Sequence, residues 1–357
     1  DLTGPEFHSF IIDNGWKELL KPCHHQILPV YFWESKSAGW IIANFGDAVN
    51  QDIATGLLQQ SQMELQSQSR PSRPSLNPPR FTSKGVFIPT KKKPTLNPTE
   101  HPKKILMVGS VLLNANKGDI IWGSGLHFDT NATYKFPYSG GLDIRAVRGP
   151  LSASVLGDIN AQTHPHLTLG DPALLLPLFF KTDLMLNRMK LNEKYQNDTN
   201  DTNISTQNGE TGQTGQEGLF LKQYCVVPHY VDIEGVKLTP RQKKLAKLSP
   251  KRMTFPIKKS QEEYYRDYPH SNQWRIKILS PGLSASAMVD AMMQCDLVMS
   301  SSLHGVIFGE MYRVPTRWLF NPTLFLSSQV ESSLKYNDYF LSTGRSCFHP
   351  ATSLEDG

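Results

Sequence analysis

Short apolar runs alternate with segments of helical period along most of this chain. Residues 104–112, KILMVGSVL, and 119–125, DIIWGSG, are apolar runs of strand length and predict buried strands, the second ending in a glycine-rich turn. DIRAVRG, 143–149, predicts a strand or turn, and PLSASVLG, 150–157, a helix with Pro150 at its first position and Gly157 at its end. HLTLGD, 166–171, predicts a strand running into a loop. Further on, QYCVVPHYV (223–231) and IKIL (276–279) predict strands, SASAMVDAMMQC (284–295) a helix capped by Ser284, and DLVMSS (296–301) a strand. GVIFGEMYRV, 305–314, predicts a helix stopped before Pro315.

Two stretches interrupt this alternation. Residues 70–104 hold eight prolines and the run Lys91-Lys92-Lys93, and predict a long irregular insert. Residues 192–218 carry almost no apolar side chain to offset the entropy of ordering them. That tract divides the chain into an N-terminal α/β domain, 1–191, and a C-terminal α/β domain, 219–357, with 192–218 as linker or loop. Alternating strands and helices in both halves predict an α/β fold of two doubly wound, Rossmann-like domains facing across a cleft. Ligands in such folds sit beyond the carboxyl ends of the strands, so the strand-end loops carry the candidate chemistry.

Composition narrows the setting. An ordinary apolar content excludes a disordered chain, and no apolar run reaches the roughly 20 residues of a membrane helix. The chain starts at Asp1, and the expectation is an N-terminal anchor preceding it, which would make the protein a type II membrane protein of the Golgi lumen. Four N-glycosylation sequons, at Asn131, Asn197, Asn200 and Asn203, favour the secretory pathway, although three fall in one Asn/Thr-rich tract that generates them cheaply. Cys23, Cys225, Cys295 and Cys347 show no metal-ligand spacing; they leave open one or two bridges, or free buried thiols, and predict no structural zinc. From Lys237 to Lys259 there are nine Lys or Arg and no acid, a solvated face or a patch for an anionic surface. No aromatic interleaving accompanies that charge, so nucleic acid is not an expected partner.

The break in the pattern at SSLHG, 301–305, is the most informative. Ser300, Ser301, Ser302 and His304 crowd hydroxyls and an imidazole at a predicted helix N-terminus, which favours an anion, and Gly305 allows close approach to the backbone. The bland alternative is that they only cap the helix and satisfy loop backbone. Asp171, before Pro172, either holds its loop or orients a base. Asn44, Gly46 and Asp47 precede a helical run, as a cap or as a carboxylate aimed at the cleft. Gly123, Ser124, His127 and Asp129 follow a strand, with His127 a general acid/base candidate. Arg145 and Arg148 are three apart and predict a fork around a phosphate or carboxylate. Trp33, Trp40, Trp122, Tyr134 and Tyr138 are sugar-stacking candidates, or core and rim aromatics.

Taken in order, NFGDAVN, VGSVL, DIIWGSG, IRAVRGPLSASVLG, LGDPALLLP, DLVMSSSLHGVIFGEMYRVPT and LKYNDYF resemble the polysaccharide pyruvyl transferase family. The resemblance implies a fold similar to two-domain GT-B glycosyltransferases. It implies transfer of the enolpyruvyl group of phosphoenolpyruvate to two hydroxyls of one sugar as a cyclic ketal, with release of phosphate and no metal or other cofactor. With the sequons, it implies a eukaryotic, secretory member acting on a terminal galactose of cell-surface N-glycans. The family's S-R-L-H-G motif falls on Ser301, Ser302, Leu303, His304 and Gly305, so Ser302 stands where the family has arginine. Losing that guanidinium would cost about 1.5–3 kcal/mol of donor binding if nothing replaced it; Arg148, Arg313, Arg317 and Lys335 are the candidate substitutes. The resemblance assigns His304 to the donor end, with His127, Asp47 and Asp129 as acceptor-side and proton-transfer candidates. Two other classes share parts of the pattern: a GT-B glycosyltransferase using a nucleotide sugar, and an inactive carbohydrate-binding protein, which the Ser302 departure favours.

Overall fold

The structure is a computed structural model. It describes residues 45–46, 49–57, 104–127, 141–156, 167–180, 222–230, 232–233, 255, 257, 275–319, 333–346 and 350–351, and the backbone alone of 30–31, 35–37, 40–42, 80–82, 85–87, 231, 263–267, 274 and 331–332. It is mixed α/β, built on two five-stranded sheets.

The first sheet is wholly parallel and runs in chain order: β1 (Val30–Tyr31), β2 (Ile105–Leu106), β3 (Ile120–Trp122), β4 (Asp143–Val147) and β5 (Thr168–Leu169). Its strands are shorter than the apolar runs predict: KILMVGSVL contributes two strand residues and then turns into a 3-10 segment, Leu112–Asn114. Within 70–104, read as irregular, Arg80–Thr82 and Gly85–Phe87 pair as a small antiparallel hairpin, the two-residue connection that such ladders favour.

The second sheet has β6 (Lys222–Val227) at its centre, β8 (Trp274–Leu279) and β9 (Leu297–Ser300) parallel on its two sides, β10 (Thr316–Trp318) beyond β9, and β7 (Glu263–Asp267) antiparallel on the β8 edge. After β8 the chain crosses β6 through helix α2 (Ala285–Met292), capped by Ser284 as predicted, and enters β9. The strand order therefore reverses between β6 and β9, and such a switch leaves a crevice at their carboxyl ends. β6 stops at Val227 rather than 231, because Pro228 cannot donate to the ladder.

Period-two alternation divides the buried residues into layers. Ile105, Trp122, Ala146, Cys225, Val227 and Val298 face one continuous core shared by both sheets. Leu106, Ile121 and Val147 face the far side of the first sheet, beneath helix α1 (Pro150–Val155), and Val226 and Met299 the far side of the second. The shared layer holds helical residues 49–57, α2, helix α3 (Leu303–Met311) and helix α4 (Glu331–Ser342). The two halves are thus joined directly: the Phe45 and Phe308 rings meet edge-on at 4.9 Å, and Phe45 N–H donates to the Pro281 carbonyl at 3.0 Å. A buried disulfide, Cys225–Cys295, ties β6 to the turn before β9. Closing a loop of 70 residues, it stabilises the fold by about 4 kcal/mol in the chain-entropy view.

Candidate functional site

At the β9–α3 junction the serines are largely consumed by the fold. Ser300 Oγ lies 2.8 Å from the carbonyls of Val227 and Ser302 and accepts the Ser302 N–H. Ser301 Oγ donates to Asp232 at 2.7 Å and accepts the His229 N–H at 2.9 Å, pinning the loops after β6 and β9 together across the switch point. Ser302 is the N-cap of α3 but makes no side-chain capping bond. The helix starts at Leu303, two residues earlier than the apolar pattern predicts, because the polar residues are buried with the rest. His304 therefore stands in the first helical turn, where free N–H groups and the dipole favour an anion. A Cβ on Gly305 would strike the Ser300 hydroxyl, so close packing alone requires glycine here. Leu303 anchors the junction in the shared core.

The first sheet adds charge. Arg148, just past β4, is fully buried; its Nε donates to Asp338 at 3.2 Å, and its terminal nitrogens donate to Ser110 Oγ and the Leu126 carbonyl. Asp338, on α4, also accepts the Ser152 N–H at 3.0 Å in the first turn of α1, so an anion from the far end of the chain caps a helix of the first half. Asp171 follows β5: its Oδ1 accepts the Ala173 N–H at 3.0 Å, while its Oδ2 faces His304 Nε2 at 3.8 Å. Neither of these two buried atoms has a hydrogen-bond partner among the described residues. Gly46 packs against the other side of the imidazole, and a Cβ there would collide with His304 Nδ1.

α4 closes the arrangement. Tyr336 OH donates to the Ser301 carbonyl at 2.7 Å, its ring stacks on Trp318 with centroids 4.2 Å apart, and Tyr339 OH donates to Glu310, which also holds Arg345 through both oxygens. The same helix buries Lys335. Burial, then Arg148 and Lys335, pushes the His304 imidazole down to about 3. Burial, then Lys335 and Arg148, pushes His127 down to about 3. His229 is lowered by burial and by Lys335, His127 and His304. Burial raises the Asp171 carboxyl to about 6, against the Ala173 N–H and Arg148, which favour its charged form. The cluster thus sets neutral imidazoles beside the buried Lys335 and beside Arg148, which is paired with Asp338.

Of the residues read from sequence, His127, Arg148, Lys335, His304 and Ser301 to Gly305 converge here, and Gly46 touches His304. Ser124 is buried and donates to the Gly109 carbonyl, and Gly123 occupies the turn before it at φ 96°. Asn44, Asp47 and Asp129 lie outside the described residues, as do the four sequons. Arg313 and Arg317 are exposed; Arg313 ends α3 in the left-handed region at φ 56°, the opposite end from His304. The predicted fork of Arg145 and Arg148 is not formed: residues three apart along a strand point to opposite faces, and Arg145 pairs with Asp143 at the surface. Trp122 is core.

His229 and Asp338 were not read as functional. His229 follows a buried strand as His304 does, and Pro228 was the signal that the strand had ended. Among the described residues no group of three or more His, Cys, Asp or Glu side chains is placed to hold a metal ion. None of the described helices is long and apolar enough to cross a membrane. A family model, polysaccharide pyruvyl transferase, matches residues 75–320, which covers every strand tip of the cluster and stops short of Lys335 and Asp338. No curated protein and no solved structure matches the chain.

Proposed function

The chain belongs to the polysaccharide pyruvyl transferase family, and on that premise we propose that this pyruvyltransferase takes its donor group from phosphoenolpyruvate and builds a cyclic ketal on a terminal galactose of an N-linked glycan. The observation that carries the donor assignment is the convergence of strand tips from both sheets on one cluster of Arg148, Lys335 and three imidazoles. Phosphoenolpyruvate carries a phosphate and a carboxylate, and both suit that field and the first turn of α3. Lys335 supplies the charge that Ser302 does not. The two sheets, each built mainly of parallel strands, support a GT-B-like reading, with the difference that a continuous core joins them.

The reaction balances without a redox partner. The enolpyruvyl C2 forms bonds to two sugar oxygens, the C2–O bond to phosphate breaks, and C3 gains a proton. Of the two hydroxyl protons, one in net terms reaches C3 and the other leaves with phosphate. In this reading His304 serves the donor end and moves the C3 proton, and His127 is the acceptor-side acid or base; a group in such a role contributes roughly 10²–10⁴-fold. Asp47 and Asp129 are further acceptor-side candidates. The buried Cys225–Cys295 bridge and the sequons support a secretory, Golgi-lumen setting.

The test is incubation of the chain with phosphoenolpyruvate and a chromogenic β-galactoside, following phosphate and the mass of the sugar. Phosphate release matched by a ketal-bearing galactoside is the expected result. Thermal stabilisation by a nucleotide but not by phosphoenolpyruvate would instead identify a nucleotide-sugar enzyme.

A further inference from the structure

Two buried polar atoms in the cluster face each other and bond to nothing else among the described residues: Asp171 Oδ2 and His304 Nε2, 3.8 Å apart. Folding accounts for only half of Asp171. Its Oδ1 caps the turn Pro172–Leu175 through the Ala173 N–H, a task that Asn or Ser performs as well. The second oxygen is buried at a cost and aimed at an imidazole from another sheet. Hydrogen bonds between catalytic groups are often long outside the Michaelis complex and tighten within it.

From this geometry we infer that Asp171 is the positioning carboxylate of His304: it holds the Nε2–H tautomer, leaves Nδ1 as the basic nitrogen, and stabilises the imidazolium formed when an anion fills the site. The inference deepens the proposed function and rests on that reading for the identity of the anion. Asp171 touches no reacting atom; it acts through the ring.

The charges around the pair set the direction of the switch. His304 faces Arg148 from the tip of β4, Lys335 from α4 and His229 from the tip of β6; Asp171 faces Arg148 and, from α4, Asp338 and Tyr339. Burial first, then the two cations, opposes a charge on His304, and its ring stays neutral. A dianion bound at the first turn of α3 adds negative charge beside His304, against the influence of Arg148 and Lys335, so one proton from solvent adds to Nδ1 and the ring becomes an acid held by Asp171. The donor's own charge thus arms its proton source.

The test uses the full chain carrying ¹⁵N-histidine, with His304 signals identified by their loss in His304→Gln, and inorganic phosphate as the probe anion. Long-range nitrogen–proton correlation should show Nε2–H in the wild type. Asp171→Asn must keep its oxygen on the Ala173 N–H, which turns its amide NH₂ towards Nε2 and should flip the ring to Nδ1–H. In that variant kcat should fall by about 10²-fold, with the KM for donor changed far less. Phosphate should raise the His304 pKa by about one unit or more in the wild type and by less in Asp171→Asn. An Nδ1–H ring in the wild type, or an Asp171→Asn enzyme with unchanged tautomer and kcat, overturns the inference. If the variant does not fold, the wild-type tautomer decides alone. If phosphoenolpyruvate is never turned over but the tautomer flips as described, the proposed reaction fails and the role of Asp171 stands.

Discussion

At the tips of the first sheet the inward-facing groups are ionic, Arg148 against Asp338 and the single-sided Asp171, whereas at the tips of the second they are imidazoles and hydroxyls, His229, Ser301 and His304. The ionic side is fixed by an element from the far end of the chain, α4, and the hydroxyl side by its own strand ends and the Cys225–Cys295 bridge. On the proposed function, the first sheet and α4 would hold the anionic donor and the second sheet would carry the proton. α4 joins the two, carrying Asp338 to one side, Tyr336 to the other and Lys335 between them.

The sharpest way to break that comparison is Asp338→Ala. It leaves Arg148 buried and unpaired and uncaps α1, so stability should fall by about 3–5 kcal/mol, read by denaturant unfolding, with activity lost. A value near zero would mean that α4 does not hold the ionic side.

Next in size is the acid dependence. His304 is lowered to about 3 in the fold, while an unfolded histidine titrates near 6.5. The unfolded chain therefore binds the extra proton between those values. Stability from this residue is whole above about 6.5 and declines as pH falls towards 3, by about 1.4 kcal/mol per pH unit. Asp171, raised to about 6, acts in the opposite sense: its burial penalty is absent below about 4 and grows as pH rises to 6. Because His127 and His229 share the direction of His304, the melting temperature should fall on going from pH 7 to 5, and His304→Gln should flatten that slope.

Lys335→Met tests the field more gently. It should raise the pKa of His304, seen by NMR titration, and increase the KM for the anionic donor about tenfold, near 1.4 kcal/mol. At the small end, Arg317→Ala should change kcat/KM by less than about twofold, since this arginine is exposed on β10.

The sequence disclosed these two regions unequally. Apolar runs bounded by glycine and proline marked the strands, and the break at SSLHG marked the tip of β9, because burial in a parallel sheet leaves a continuous apolar signature. LKYNDYF stood out as a motif, but that its Asp338 reaches Arg148 rests on a contact spanning 190 residues, which no local pattern encodes. Asp171 showed why its loop turns, not that its second oxygen meets an imidazole from the other sheet. Ser301 read either as a ligand hydroxyl or as a loop-satisfying one, and its bonds to His229 and Asp232 make it a strand-tip clamp, a partnership that depends on which loop folds beside it.

The most direct test of the account is the product formed in deuterium oxide by the wild type and by His304→Gln, from phosphoenolpyruvate and a galactoside, with melting of both proteins measured alongside. The account predicts phosphate and ketal in equal amounts from the wild type, with solvent deuterium in the ketal methyl group, and no ketal from a folded His304→Gln. Full ketal formation by His304→Gln, or no phosphate release by the wild type with any sugar offered, would contradict it.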